Sequence, residues 1–380
     1  MNILKFTPEH EDFRKRLSAF CEAHITPFVD QWEKDGIVPR EIWRAFGRAG
    51  FLCPDLDPAY GGLGGDFRYA VIVSEELART RHTGLAANLH SDVVVPYIAS
   101  FGSEAIKNKY LPGCVSGDVV TAVAMTEPGA GSDLAGMSTT AVDDGDTVVL
   151  NGAKTFISNA IHADVAVVAA RDADAENPYQ GISLFAVPTD TPGFKSGRQL
   201  KKMGWHSQDT AELFFTDCRI PADHRLGVKG MGFMMLMEKL QQERLICAVG
   251  AVTGAEVILQ WATDYLKKTL INDRPMVKHQ AVQFALVEMA TEVKIGRTFV
   301  DTLVADHVAG GQIVIETSMA KYWTTDMVKR VAERALDLCA PYATLEACPL
   351  VRAWRDVRVM SIFAGTNEIM KGIVAKFMGL

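Results

Sequence analysis

The sequence predicts an α+β protein in three parts: an N-terminal α-helical domain over 1–117, a central antiparallel β domain over 118–228 and a C-terminal four-helix-bundle domain over 229–380. Two changes of texture predict it. Apolar residues recur at helical spacing before about 117 and after about 230, while the stretch between carries short runs of Val, Ile, Phe and Thr broken by Gly, Asp and Pro.

In the first part Phe13, Leu17, Phe20 and Cys21 fall at helical spacing, as do Ile72, Leu77 and Ala78. Pro58 to Gly65 is a glycine-rich loop between helices. It is not G-x-G-x-x-G and no strand precedes it, which argues against a dinucleotide-binding turn. In the middle part the strand candidates are Val119–Met125, Thr147–Leu150, Asp164–Ala170, Ile182–Val187 and Glu212–Phe215, with Asp143-Asp144-Gly145-Asp146 supplying a turn before Thr147. No helical pattern alternates with these runs, so a small antiparallel sheet or barrel is expected rather than βαβ winding. In the last part Met231 to about Leu270 has no proline, and further helices are expected over about 277–308, 313–338 and 366–378. Long helices after a β insert suggest a bundle, a common setting for subunit interfaces.

Composition narrows the function classes. The 380 residues are 48% hydrophobic and 22% charged, with a net charge of −7, which argues against long disorder and against a generally basic nucleic-acid or membrane-surface protein. No run approaches the 18 apolar residues of a membrane span, and the charged N-terminus lacks the apolar stretch of a secretory signal. Seven scattered cysteines without C-x-x-C point to a reducing, cytoplasmic setting without zinc. None of the nine histidines sits in a metal-ligand or Ser-His-Asp pattern.

The most informative segment is Ala124-Met-Thr-Glu-Pro-Gly-Ala-Gly-Ser-Asp133-Leu-Ala-Gly136, after the first strand candidate. Its glycines and proline allow converging backbone amides, and Thr126 and Ser132 add hydroxyls. Such a loop can cradle a phosphate or the polar edge of a flavin; read alone, it also fits a sharp turn closing a β element. Thr126-Glu-Pro-Gly-Ala-Gly-Ser-Asp133 resembles the signature of acyl-CoA dehydrogenases. The similarity continues through Asn151-Gly-Ala-Lys-Thr-Phe-Ile-Ser-Asn159, Lys202–Phe215, Ile220-Pro221, Gln242-Glu-Arg-Leu245 and Ala364-Gly-Thr-Asn-Glu-Ile369, and covers nearly the whole chain.

The resemblance implies FAD as cofactor and an acyl-CoA as substrate. It places Met125, Thr126, Gly131, Ser132, Phe156, Ile157, Ser158, Thr366 and Glu368 at the flavin, and Ser132, Gln241, Arg244, Ala364 and Gly365 at the acyl-CoA. An aromatic plane at Phe156 would shield the ring, and a hydroxyl at Ser158 would stabilise charge on the reduced flavin. Read alone, Phe156 fits a core residue.

The reaction needs a carboxylate in a dry pocket to take the proton next to the thioester carbonyl. Many family members carry it just before the C-terminal Gly-Thr, where this chain has Ala364. A second branch, including isovaleryl- and long-chain acyl-CoA dehydrogenases, carries it on a central helix before an arginine, where this chain has Glu243 and Arg244. Leu236, Leu240, Glu243 and Cys247 follow i, i+4, i+7, i+11, which puts Glu243 on an apolar stripe where burial would raise its pKa. The plainer reading is a Lys239–Glu243 surface pair. Asp92 is a second acidic candidate, for which a helix cap is the simpler reading.

Two segments depart from the family pattern: Thr269 and Asn272-Asp273 replace an arginine and Phe-Gly, and Cys339-Ala340-Pro341 falls in a usual Gln-Leu-His-Gly-Gly. Both would reach the adenosine half of FAD across a subunit interface. Three outcomes are open: FAD held by other contacts such as Lys267, Lys268 or Arg274, a hetero-oligomer with a related subunit instead of a homotetramer, or loss of tight FAD binding. The expected activity is dehydrogenation of an acyl-CoA to the trans-2-enoyl-CoA, with an electron-transfer flavoprotein as acceptor. A flavin oxidase or monooxygenase on the same fold, or a subunit that shapes a partner's site, are the alternatives.

Overall fold

The computed structural model describes residues 3–82, 84–177 and 181–380. The N-terminal helices are α1 (Pro8–His24), α2 (Val29–Asp35), α3 (Arg40–Arg48), α4 (Phe67–Arg79), α5 (Val95–Phe101) and α6 (Glu104–Ser116). Their starts follow local chemistry. Pro8 opens α1 after Thr7; the Asp66 carboxylate accepts from Arg68 N, and the Ser103 hydroxyl accepts from Ile106 N. Phe13, Leu17 and Cys21 form the buried stripe of α1. Gly117 ends α6 at φ +76°, where an added Cβ would lie 2.2 Å from the Trp43 carbonyl oxygen, so both backbone and packing demand glycine.

The chain then forms β1 (Thr121–Ala124), β2 (Thr140–Asp144), β3 (Thr147–Ser158), β4 (Val165–Asp172), β5 (Ile182–Pro188), β6 (Phe194–Gln199), β7 (Thr210–Pro221) and β8 (Arg225–Leu226). The sheet order is β6-β7-β3-β2-β4-β5-β8, with β1 paired to β4. The expected antiparallel sheet is thus corrected in one respect: β1 and β2 both run parallel to β4. Three strands of this sheet, β2, β6 and the two-residue β8, lie outside the expected set, and β3 runs eight residues beyond Leu150. The apolar run of β4 arises because the strand separates two cores. Val165, Val167 and Ala169 face the helices, while Ala166, Val168 and Ala170 face the interior of the β part.

The last part contains α7 (Gly232–Lys268), a two-stranded hairpin of β9 (Leu270–Ile271) and β10 (Arg274–Pro275), α8 (Gln280–Val308), α9 (Val314–Leu338), α10 (Pro349–Val357) and α11 (Asn367–Phe377). The helix α10 is an addition to the expected set. In the hairpin turn Asn272 and Asp273 both take positive φ, 51° and 57°, as a two-residue type I′ turn requires. By length and composition alone α7 could cross a membrane, and 61% of its most apolar window is buried within this fold.

One charged network ties the two helical parts together. Arg297 of α8 grips Glu256 of α7 with Nε and Nη2, at 2.8 and 2.7 Å, and donates to Glu75 of α4 at 3.0 Å. The other oxygen of Glu75 accepts from Arg14 of α1 at 2.6 Å. Removing one partner of such a network strands the others in a poorly solvated place. Arg297→Met is expected to lower unfolding stability by about 3 kcal/mol, the lower end for a broken buried pair because Glu256 reaches solvent; denaturant titration of the variant measures it.

Candidate active site

On α7, Leu236, Leu240 and Cys247 are buried, and Glu243 lies on the same stripe. As a residue it is half-buried, but the carboxylate atom Oε2 is closed off and has no hydrogen-bond partner among the described residues. Burial pushes the Glu243 carboxyl up to about 7, against the charges of Arg244 and then Lys321, which pull it down. The surface-pair reading fails, because Lys239 pairs with Glu238 at 3.0 Å and lies over the Phe101 ring. Two further buried atoms near the acid lack partners among the described residues, Tyr97 Oη on α5 and Arg244 Nε. Burial, then the Glu243 charge, raises the Tyr97 phenol well above its ordinary value.

The neighbouring Gln242 fixes the rotation of α7 by donating from Nε2 to the Asp92 carbonyl at 2.9 Å. Asp92 is not a helix cap, which corrects the simpler sequence reading. It lies inside a six-residue π-helical stretch, Leu89–Val94, fully buried, with its carboxylate accepting from Asn88 Nδ2 at 2.7 Å. Burial, then the charge of Asp55, raises its pKa well above the usual carboxylate range. A wider helical turn can aim a side chain inward that a regular turn would place elsewhere.

The turn before α11 is tied to the surroundings of Glu243 through Lys321 of α9. Ala364 and Gly365 both take positive φ, 55° and 88°, and a Cβ on Gly365 would lie 2.7 Å from Met370 Cε. Thr366 caps α11 by accepting from Ile369 N, while Glu368 is exposed in its first turn. The Gly365 carbonyl is held by Lys321 Nζ of α9 at 2.6 Å. Sequence reasoning missed Lys321, which carries no local signature.

A second cluster sits on the β sheet. A register shift in β3 between Lys154 and Ile157 puts Phe156 at φ +57°, a conformation a bulky residue rarely adopts, and leaves its ring 69% exposed. Phe156 is therefore not a core residue. Period-two alternation sends the Ile157 side chain into the β core, 2% exposed, so on the Phe156 side only its backbone is presented, while Ser158 is half-buried. Thr155 N donates to the Thr126 carbonyl at 2.9 Å, which brings the 125–132 loop against this bulge. Met125 and Thr126 are half-buried and Gly131 and Ser132 exposed. A Cβ on Gly131 would meet nothing within 4 Å, so folding leaves that face of the loop open. An outward aromatic ring beside an open loop with free hydroxyls fits a flat, polar-edged ligand. The loop between β6 and β7 reaches the C-terminal turn: Trp205 packs edge-to-face on Phe363, the residue before Ala364, at 5.5 Å, and donates from its backbone N to Asp356 at 2.6 Å.

The loop is anchored by a fully buried ion pair. Lys154 Nζ donates to Glu127 Oε1 at 2.8 Å and to the Met125 carbonyl at 3.1 Å, and Glu127 also accepts from Ser138 N, Ser138 Oγ and Thr139 N. Burial alone would raise the Glu127 carboxyl, but the hydrogen bonds and charge of Lys154, with Thr139 and Ser138, bring it down to about 2. Because the folded pKa lies below the ordinary 4.5, the pair's contribution is full above pH about 4.5 and is lost as pH falls toward 2. Lys154→Met is expected to cost about 3–5 kcal/mol near neutral pH. Adding Glu127→Gln should recover a large part of that loss, and thermal melts of the single and double variants across pH measure both.

Family models for acyl-CoA dehydrogenases match the chain in three consecutive pieces: the N-terminal domain over 7–118, the middle domain over 122–218 and the C-terminal domain over 230–379. The mitochondrial long-chain specific acyl-CoA dehydrogenase of Sus scrofa is 41% identical over 98% of this chain and 86% of its own. The crystal structure of an acyl-CoA dehydrogenase from Geobacillus kaustophilus superposes with a TM-score of 0.97 at 51% identity, covering 99% of both chains. A glutaryl-CoA dehydrogenase from Mycobacterium smegmatis, solved in complex with FADH2, does so with a TM-score of 0.90 at 26% identity over 98% of this chain and 95% of that one. The chain belongs to the acyl-CoA dehydrogenase family, flavin-dependent oxidoreductases acting on acyl-CoA.

Proposed function

We propose that this chain converts an acyl-CoA thioester to the trans-2-enoyl-CoA, with Glu243 as the base. The observation that supports this most is the buried Oε2 of Glu243, without a hydrogen-bond partner among the described residues, on the stripe of α7 that Leu236, Leu240 and Cys247 share. A carboxylate with a free lone pair and a pKa near 7 holds a proton far better than a solvated glutamate, which suits it to remove a weakly acidic carbon-bound proton. Its neighbours oppose leakage of that proton, since Tyr97, Arg244 and Cys247 around it are all buried.

Ala364 cannot act as a base, but its backbone N–H can polarise the thioester carbonyl, because a main-chain donor survives any side chain. The left-handed backbone at Ala364 and Gly365 gives that donor a fixed direction. FAD, when bound, supplies the acceptor for the hydride leaving the β carbon. Met125, Thr126, Gly131, Ser132 and the backbone at Ile157 would meet its polar edge, Phe156 would cover one face, and Ser158, Thr366 and Glu368 would complete the contacts. On the substrate side, Ser132, Gln241, Arg244, Ala364 and Gly365 would surround the thioester end of the acyl-CoA.

For the adenosine half the reading favours contacts of this chain's own. Lys267 and Lys278, with Val277 and Leu286, line an open recess of about 540 Å³ beside the β9–β10 hairpin, and two lysines there suit a diphosphate. Assembly into an oligomer is part of the same reading, supported by Phe284, Val287 and Ile295, exposed at 58, 63 and 55% on α8. The acceptor of the electrons is then an electron-transfer flavoprotein, and the chain works in a cytoplasmic setting.

Glu243→Gln is expected to keep bound flavin and to lose at least about 100-fold in turnover with an artificial electron acceptor. In the parent enzyme the base works only when deprotonated. So kcat/KM should be level above pH about 7 and fall about tenfold per unit below it. Near-parental turnover in the flavin-loaded Glu243→Gln protein would remove Glu243 from the mechanism.

A further inference from the structure

Lys321 is 0% exposed, a place where an ammonium group is costly unless something uses it. Its Nζ donates to the Gly365 carbonyl at 2.6 Å and to Asn367 Oδ1 at 3.2 Å. Asn367 is itself fixed by Thr325 Oγ1 at 3.1 Å, the Tyr322 carbonyl at 3.2 Å and Asp326 Oδ1 at 3.0 Å. Capping of α11 does not need the lysine, because Thr366 already does it. What Lys321 adds is a cation on α9, the helix packed along α7, that is bonded to the carbonyl of the Ala364-Gly365 turn and whose charge acts on the acid of α7. We propose that Lys321 is a positioning residue that fixes the Ala364–Thr366 turn through the Gly365 carbonyl and supplies the buried positive charge against which the Glu243 carboxylate works.

The proposal rests on the reading of Glu243 as the base. The groups whose charges are coupled to Glu243 are Arg244 and Cys247 on its own helix, Tyr97 from α5 and Lys321 from α9; burial lowers the pKa of Lys321, the charges of Cys247, Asp326 and Glu243 raise it, and that of Arg244 lowers it. Arg244 neighbours Glu243 in sequence on α7, whereas Lys321 is hydrogen-bonded to the turn and acts on the acid from a second helix. A neutral residue at 321 would leave the Gly365 carbonyl short of a donor and withdraw one of the two cations that oppose the effect of burial on Glu243.

The test uses the flavin-loaded protein and three variants. Lys321→Met removes charge and donor, Lys321→Gln removes the charge but keeps a donor, and Lys321→Arg keeps both. The Glu243 carboxyl is titrated directly by 13C NMR of glutamate labelled at Cδ, its signal assigned by its loss in Glu243→Gln. The pH profile of kcat/KM is recorded in parallel with an artificial acceptor. Met and Gln are each expected to raise the Glu243 midpoint by about one pH unit, while Arg leaves it near the parent. Gln should retain more of the plateau kcat than Met, because it still holds the turn. An unmoved midpoint in folded Met and Gln proteins overturns the proposal, and so does equal movement in Arg. A midpoint that moves while the pH profile stays put upholds the coupling and rejects Glu243 as the base. A purely structural role would lower activity at every pH without moving either curve.

Discussion

The site depends on one electrostatic fact: a carboxylate sits on the greasy side of a 37-residue helix with one oxygen bonded to nothing among the described residues. Leaving a charged oxygen without a partner in a desolvated place costs free energy that an ordinary salt bridge would not. The surroundings limit the cost without cancelling it. Arg244 and Lys321 are close enough to lower the carboxyl's pKa, yet neither takes the free oxygen, and burial still leaves the group near 7. A bidentate arginine would have stabilised the ionised form further and made a weaker base. The fold thus holds the acid near the midpoint of its titration at neutral pH, where it can ionise and can also take up a proton.

The second cluster is built by the same logic on a different scaffold. A bulge in β3 turns Phe156 outward, and the buried Lys154–Glu127 pair holds the opposing loop by its Met125 carbonyl. Positive φ recurs at Phe156, Ala364 and Gly365, all at positions that face or border the site. Backbone of this kind persists only where neighbours over-determine it. Here the Phe156 bulge is held by Thr155 N on the Thr126 carbonyl, in a loop that Lys154 anchors at the Met125 carbonyl, and the Ala364–Gly365 turn is held by Lys321 on the Gly365 carbonyl.

Much of this was legible in the sequence where periodicity was clean. The stripe Leu236, Leu240, Glu243 and Cys247 is visible as spacing, and the three-part order of helices, strands and helices follows from the change of period. What escaped has local causes. The strand β2 ends in two exposed aspartates and β6 is a polar edge strand, so neither reads as alternation. The extension of β3 hides behind two register shifts and the buried Lys154. Lys321 is invisible because the inner face of α9 is itself polar: Thr317, Thr324 and Thr325 are buried there by hydrogen-bonding back to carbonyls four residues earlier, so the lysine does not stand out against them. Asp92 looked like a cap because sequence spacing cannot reveal a π-helical turn.

Proton removal at the α carbon can be watched without any electron leaving the substrate. An acyl-CoA blocked at the β carbon, so that no hydride can depart, is incubated with the enzyme in D2O, and deuterium entering the α position is followed by mass spectrometry. The account predicts wash-in that accelerates as pH rises through about 7 and is lost in Glu243→Gln. Exchange at the parental rate in that variant, with the thioester still bound, would contradict it.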